Sequence, residues 1–233
     1  MKSIAVGAAI VVLAGACSSS KAPASAYKPV IDPAKFTSTI DNPYFTLKPG
    51  TVYHYTATVE GKTETNDVAV THQTSTIMGV KSVVVRDLVR SEGKLSEDTV
   101  DWYAQDVSGN VWYMGESTKK LDNGKWVTEG SWKGGVDGAE PGIVMEAHPR
   151  VGDHYRQEYY KGHAEDEARV IATGKTITVG GRTYKDVITT SETSALEPDV
   201  VEQKNYTPGI GFFYLKTTKG PAEEQRFLSV TNS

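Results

Sequence analysis

The sequence predicts an all-β fold: an antiparallel meander in two related halves, packed as a sandwich or as an open barrel. Three observations point there. The chain of 233 residues carries 26 Val, 25 Thr and 12 Tyr against 8 Leu, the residue choice of pleated surfaces and not of helices. Apolar residues recur at period two, and no run of twelve keeps the 3.6-residue period of an amphipathic helix. Gly, Asn and Pro interrupt the chain at short spacing, which favours hairpins over parallel crossovers.

Residues 1–16 read as an export signal. Lys2 supplies the positive start, Ile4 to Leu13 is an uncharged apolar run, and Ala14-Gly15-Ala16 offers small residues for cleavage. Ten apolar residues are too few to span a bilayer, which takes roughly 20. Cys17, the only Cys, follows directly. Leu13-Ala14-Gly15-Ala16-Cys17 resembles the lipobox of bacterial lipoproteins, which implies a diacylglycerol on the Cys17 sulfur. An exported chain seldom keeps one unpaired thiol, and acylation accounts for it. The alternative is plain secretion. Residues 17–39 then form a lipidated Cys and a tether whose Ser, Ala and Pro cannot bury a core.

A first β half is expected over 40–116. Tyr53, Tyr55, Ala57 and Val59 share one face, with His54, Thr56 and Thr58 opposite. Val68 and Val70 alternate with Asp67, Ala69 and Thr71; Val100, Trp102 and Ala104 alternate with Asp101 and Tyr103. Glu60-Gly61, Glu92-Gly93 and Ser108-Gly109-Asn110 supply turns. A Gly- and Trp-rich connection follows over 117–148. Segments of this kind are often functional, and an extra hairpin capping the core is the other possibility. A second β half fills 149–233, with Ala168, Val170 and Ala172, Ile177 and Val179, then Phe213 and Leu215 in alternation.

The halves carry matching marks. Gly50 and Gly152, Gly79 and Gly181, and Gly109 and Gly211 are each 102 residues apart, two of the pairs with matching aromatic neighbours. Each half would present one apolar face that it cannot bury alone. They must pack face to face or continue into one curled sheet. A cleft or barrel mouth between them is the natural place for a ligand.

The candidate chemistry is sparse. Trp102, Trp112, Trp126, Trp132 and Tyr155 are candidates to line a ligand pocket or a partner surface, with burial in the core as the alternative. Glu158, His163 and Glu165 head the densest polar cluster, with Asp166 and Glu167. Oxygen ligands beside one imidazole suit a divalent cation, although such a cluster in a hairpin more often forms a solvated turn. No nucleophile elbow, Walker loop, dinucleotide loop or H-E-x-x-H pattern occurs, so no catalytic residue is assigned. Asp101 with Asp106 is a conceivable glycosidase pair, but strand alternation accounts for both. The formal charge of −4 gives no electrostatic reason to bind nucleic acid.

Asn42-Pro43-Tyr44-Phe45, Leu47-Lys48-Pro49-Gly50, the run Asp101-Trp102-Tyr103-Ala104-Gln105-Asp106 leading to Gly109-Asn110-Val111-Trp112-Tyr113, then Gly130-Ser131-Trp132, Gly138 and Pro141-Gly142-Ile143 resemble a family of exported bacterial proteins, many with lipoprotein signals. The resemblance spans about residues 40–230. It implies an envelope protein with this β pattern, and no substrate, cofactor or catalytic residue.

The expected function is therefore that of an extracytoplasmic lipoprotein, membrane-bound through its lipid, that holds a small molecule non-covalently between two β halves. The alternative is a structural or protein-contact module of the envelope. A metal-dependent hydrolase built on the Glu158 cluster is the third reading, and no cofactor beyond such a cation is expected.

Overall fold

The computed structural model describes residues 27–37 and 39–232. The export signal and Cys17 lie outside the described residues. Among those described, one 3-10 helix (Pro33–Lys35) precedes 16 strands. They are β1 (Phe36–Thr37), β2 (Thr51–Val59), β3 (Lys62–Ile77), β4 (Val80–Ser91), β5 (Lys94–Asp106), β6 (Val111–Asp122), β7 (Lys125–Val127), β8 (Trp132–Lys133), β9 (Glu140–Met145), β10 (His154–Arg156), β11 (Glu158–Tyr159), β12 (Asp166–Val179), β13 (Arg182–Ser194), β14 (Glu197–Thr207), β15 (Gly211–Lys219) and β16 (Glu223–Asn232).

The all-β expectation holds, and the two halves form one sheet instead of two stacked ones. Strands β2 to β6 run as a meander, as do β12 to β16, and β16 pairs antiparallel with β2 to join them. The bounds of β12, β13 and β14 follow those of β3, β4 and β5 at an offset of 102, within two residues. Met78-Gly79 and Gly180-Gly181 turn the equivalent hairpins, with φ of 79° at Gly79 and 77° at Gly181.

The sheet curls until its ends meet. One end is β10 on β12, and the other is β11 on β9. These two strands are consecutive in the chain, separated only by Gln157. Residues 154–159 are thus a seam that nearly closes a barrel, and closure hides the strand edges that would otherwise invite association. Seam and sheet touch most closely at Gly142. A Cβ there would lie 2.3 Å from Gln157 C and 2.4 Å from Arg156 O.

The connection 117–148 is built from strands. Leu121 pairs with Trp126 in a hairpin, β8 lies on β6 at Glu116–Trp132, and β9 pairs with β6 at Tyr113–Gly142.

Hairpin turns at 78–79, 107–110, 180–181 and 208–210 mark one end of the barrel. Residues 40–47 close it. Ile40, Phe45 and Leu47 are buried, the backbone N–H groups of Asp41 and Asn42 both donate to Gln105 Oε1 (2.9 Å each), and Asn42 Nδ2 donates to Gly109 O (2.9 Å) and Glu146 O (3.0 Å). Turns at 60–61, 92–93, 123–124, 195–196 and 220–222 ring the opposite end. We call that end the mouth.

The interior near the plug is aromatic. Tyr103 stacks on Tyr113 at 4.9 Å and Tyr184 on Phe213 at 3.9 Å, and Tyr55 packs against Phe212 and Phe227. A small second cluster lies on the outer face: Ile77, Val80, Ala104 and Met114, with Trp102 and Trp112, covered by Ile31 and Phe36.

Candidate functional site

The expected pocket residues are not brought together. Trp102 and Trp112 face outward beneath the segment 31–37. Trp112 Nε1 donates to Asp106 Oδ2 (2.9 Å), and Lys133 Nζ sits 5.6 Å from the Trp102 ring centroid. Trp126 is 49% exposed on the β6–β7 hairpin, whereas Trp132 is 4% exposed inside the barrel. Tyr155 lies on the seam, with its hydroxyl buried. A cavity of about 40 Å³ opens near the plug, between Phe45, Tyr53, Tyr55, Val68 and Phe212. It is far below the few hundred Å³ of an ordinary ligand pocket.

The expected metal residues diverge as well. Glu158 points inward and accepts a hydrogen bond from Trp132 Nε1 (2.7 Å). His163 stacks on Tyr160 at 4.3 Å, and Glu165 Oε1 accepts from Gly162 N (2.7 Å) in the turn beyond the seam. Glu167 pairs with His154 and Arg156 at 2.9 Å each. Among the described residues no group of three or more His, Cys, Asp or Glu side chains is placed to hold a metal ion. Asp101 and Asp106 also separate. Asp101 is interior, and Asp106 organises the β5–β6 turn by accepting from Ser108 N and Asn110 N.

What sequence reasoning missed is a belt of carboxylates on the inner face of the first half. On β5 the inward row is Thr99, Asp101 and Tyr103, so Val100 and Trp102 face out, and Ala104 is buried in the outer cluster with Trp102. Register carries the belt round the wall. Asp101 lies opposite Glu116 on β6, and Thr99 lies opposite Asp87 on one side and Thr118 on the other. Glu97 lies opposite Lys120 near the mouth. Glu64 and Asn66 continue the inner row on β3, two strands from β5. Glu158 ends the belt at the seam.

Some of these groups are well satisfied. Tyr113 OH donates to Asp101 Oδ1 (2.5 Å), the Thr99 and Thr118 hydroxyls bond one another, and Thr99 Oγ1 donates to Glu97 Oε1 (3.1 Å). Others keep unmatched acceptor atoms. Glu64 Oε2, Asn66 Oδ1 and Asp87 Oδ1 are buried with no hydrogen-bond partner.

Burial dominates the electrostatics of the belt, because an enclosed carboxylate resists ionisation. It pushes Asp87 well above the usual carboxylate range, and neighbouring Asp101 and Glu97 add to that. It raises Glu64 and Glu97 against the partial relief of hydrogen bonds from Ser91 and Thr99 and of Lys120 nearby. It lifts Asp101 to about 6, despite the Tyr113 hydrogen bond. Outside the belt, burial and then Asp153 lift Glu146 to about 7.

The second half handles its interior charge differently. Lys204 Nζ meets Glu192 Oε2 at 2.7 Å, and Thr190 Oγ1 and Tyr206 OH donate to Glu192 Oε1 (2.8 and 3.2 Å). Burial pushes Glu192 up, but Lys204 and these donors outweigh it and hold the carboxyl below its usual value.

These opposed shifts set a pH profile. An acid raised in the folded state costs stability when ionised. Its penalty is absent below the unfolded value near 4 and complete above the folded value, for Asp101 about 6. Stability should therefore rise as pH falls from 7 to about 5, with Asp101 alone returning on the order of 1 kcal/mol over that interval. Below about 4 the lowered acids, Glu192 and Asp98, take up protons and lose their attraction to Lys204 and Arg86, and stability falls. The expected result is a melting temperature higher at pH 5 than at pH 7, measured at constant ionic strength. A melting temperature that falls steadily from pH 7 to pH 5 would contradict this balance.

No protein-family model and no curated protein matches the chain. Two solved structures resemble it in outline. One is a provisionally assigned exported protein with a YmcC-like fold from Bacteroides fragilis, 13% identical over 81% of this chain and 99% of that one, with a TM-score of 0.47. The other is a provisionally assigned lipoprotein from Parabacteroides distasonis, 12% identical over 81% of this chain and 98% of that one, with a TM-score of 0.46. No residue role is carried over from either.

Proposed function

We propose that this chain is an extracytoplasmic lipoprotein that binds a small molecule inside the mouth of its barrel, without catalysing a reaction on it. The observation that carries the reading is the inward row of carboxylates. A barrel of this size could fill its interior with apolar side chains, as it does near the plug, and be more stable. Buried acceptors without partners cost about 1–3 kcal/mol each. Retaining Glu64 and Asp87 there fits a site kept for binding. Glu64, Glu97 and Lys120 all lie within a few residues of the mouth turns at 60–61, 92–93 and 123–124, with Asp87 deeper, so access is from the mouth. The two halves are read as copies of one unit, which the shared strand bounds support, with the belt carried by the first half and ended by Glu158 at the seam.

The address rests on the export signal and on Cys17. Nine residues separate Cys17 from Tyr27, whose hydroxyl donates to Pro141 O (3.0 Å) and whose ring packs edge-on against Tyr159. Fully extended they reach roughly 30 Å, so the anchor would hold the barrel close to its membrane. Cys17→Ser should move the protein from the membrane fraction to the extracytoplasmic soluble fraction, and the wild type should carry a diacylglyceryl mass on its N-terminal peptide. Protein extracted from its native membrane should release a stoichiometric small molecule on denaturation. An unmodified thiol would remove the anchor, and an empty barrel would remove the binding function.

A second reading, a contact module of the envelope, is favoured by Leu95, Leu121, Trp126 and Leu196, which are exposed on hairpins around the mouth. In that case a photo-crosslinker at position 125 would capture one defined envelope protein in intact cells, and Trp126→Ala would abolish the capture.

A further inference from the structure

Resting on the reading that the barrel binds a ligand, we propose that its mouth takes an extended organic cation with two or more ammonium groups, gripped by Asp87 and Glu64 with Asn66 as a neutral acceptor between them. Three observations carry this.

The first is chemical sense. The unmatched atoms, Glu64 Oε2, Asn66 Oδ1 and Asp87 Oδ1, are all acceptors. A ligand rich in N–H or O–H donors would complete them. Asp87 is 8% exposed and Glu64 6%, so both are more than nine-tenths buried, and both stand on the inward row of their strands.

The second is charge. Six carboxylates face this part of the interior, namely Glu64, Asp87, Glu97, Asp101 and Glu116 on the first half and Glu158 at the seam, and Lys120 is a cation that shares their row. A neutral polyol would satisfy hydrogen bonds but leave that excess. An ammonium group satisfies both, and charge-assisted hydrogen bonds are roughly twice as strong as neutral ones. Ligand charge would also return the belt acids towards ionisation, reversing the effect of burial.

The third is spacing. Glu64 and Asn66 are two residues apart on β3, and Asp87 lies on β4 opposite Val68. At about 3.3 Å per residue and 4.8 Å between strands, Glu64 and Asp87 stand roughly 14 Å apart on the wall, with Asn66 between them and hydrogen-bonded to Asp87. That is too wide for the shell of one metal ion, in keeping with the absence of a three-ligand cluster among the described residues. It suits a flexible chain with ammonium groups several bonds apart.

The test is isothermal titration of the folded, purified chain with spermidine, putrescine, butylamine and a neutral disaccharide. Spermidine should bind tightest, butylamine at least tenfold more weakly, and affinity should fall as salt rises. Asp87→Asn and Glu64→Gln should each weaken spermidine tenfold or more. Lys120→Gln, which removes the competing cation from the rim, should tighten it about threefold, so the inference stays testable even if an inward variant folds poorly. No spermidine binding at millimolar concentration, or binding equal in the wild type and all three variants, overturns the inference. Disaccharide binding indifferent to the charge-removing variants overturns the cation and leaves barrel binding standing.

Discussion

Gly142→Ala should open the barrel at its seam and lower the melting temperature by about 10 °C or more. The reason is that three backbone atoms occupy the space an alanine methyl needs. A Cβ at this position would lie 2.3 Å from Gln157 C, 2.4 Å from Arg156 O and 2.5 Å from Gln157 O. A flexible side chain can rotate away from such a contact, but this one is with main chain. That main chain is held on both sides, Arg156 opposite Glu167 on β12 and Glu158 opposite Pro141 on β9. Overpacking in a well-packed interior typically costs 1–3 kcal/mol, occasionally more, and a clash with clamped backbone belongs at the upper end. In a domain of this size each kcal/mol shifts melting by roughly 2–4 °C. Amide exchange should localise the damage, with protection lost first along β9 to β11. A variant that melts within 2 °C of the wild type would mean that the seam does not close as described.

Lys204→Met should be at least as damaging at neutral pH, for an electrostatic reason. Lys204 and Glu192 are both almost fully buried, and their 2.7 Å contact is the main compensation for two desolvated charges. Removing the ammonium leaves Glu192 with Thr190 and Tyr206 as donors but no opposing charge on that oxygen. Breaking one side of a buried pair typically costs 3–5 kcal/mol. The loss should shrink on acidification, because Glu192 in the variant can take a proton and become neutral. Lys204→Met combined with Glu192→Leu should recover most of the loss, since replacing both partners with apolar groups is often neutral. Urea denaturation of the single and double variants at pH 7 and pH 5 checks all three expectations. A single variant within 1 kcal/mol of the wild type at pH 7 would show that the pair contributes little.

The fold class was readable because its signals are local. Tyr53, Tyr55 and Val68, Val70 alternate as expected and do face the core, and turn glycines such as Gly79 and Gly181 sit where hairpins reverse. Curling into one sheet was one of two expected outcomes, and nothing local chooses between them. The choice depends on β16 meeting β2 and on six residues at the seam, pairings between segments far apart in sequence.

The inward place of Asp101 was not legible, for a definite reason. Between Val100, Trp102, Ala104 and Asp101, Tyr103, hydrophobicity points to the first set as interior. The structure buries the second set and covers Trp102 with an outside strap of Ile31 and Phe36. A faint signal did exist. Asp87 shares parity with Val85 and Val89, so that row was inward by its neighbours even though the acid itself argues otherwise. For the tryptophans, size and apolarity mark burial or binding without saying which. The Glu158 to Glu167 cluster misled because closeness in sequence was not closeness of side chains once Glu158 turned inward at the seam.

The claim beneath all of this is that the inward acids are kept for a ligand and at the expense of stability. Melting of the ligand-free wild type beside the Asp87→Asn, Glu64→Gln double variant at pH 7 tests it most directly. Amides in place of buried carboxylates should leave the melting temperature unchanged or raise it by several degrees. A fall of 5 °C or more would mean that these acids hold the barrel together, and the case for a binding mouth would lose its foundation.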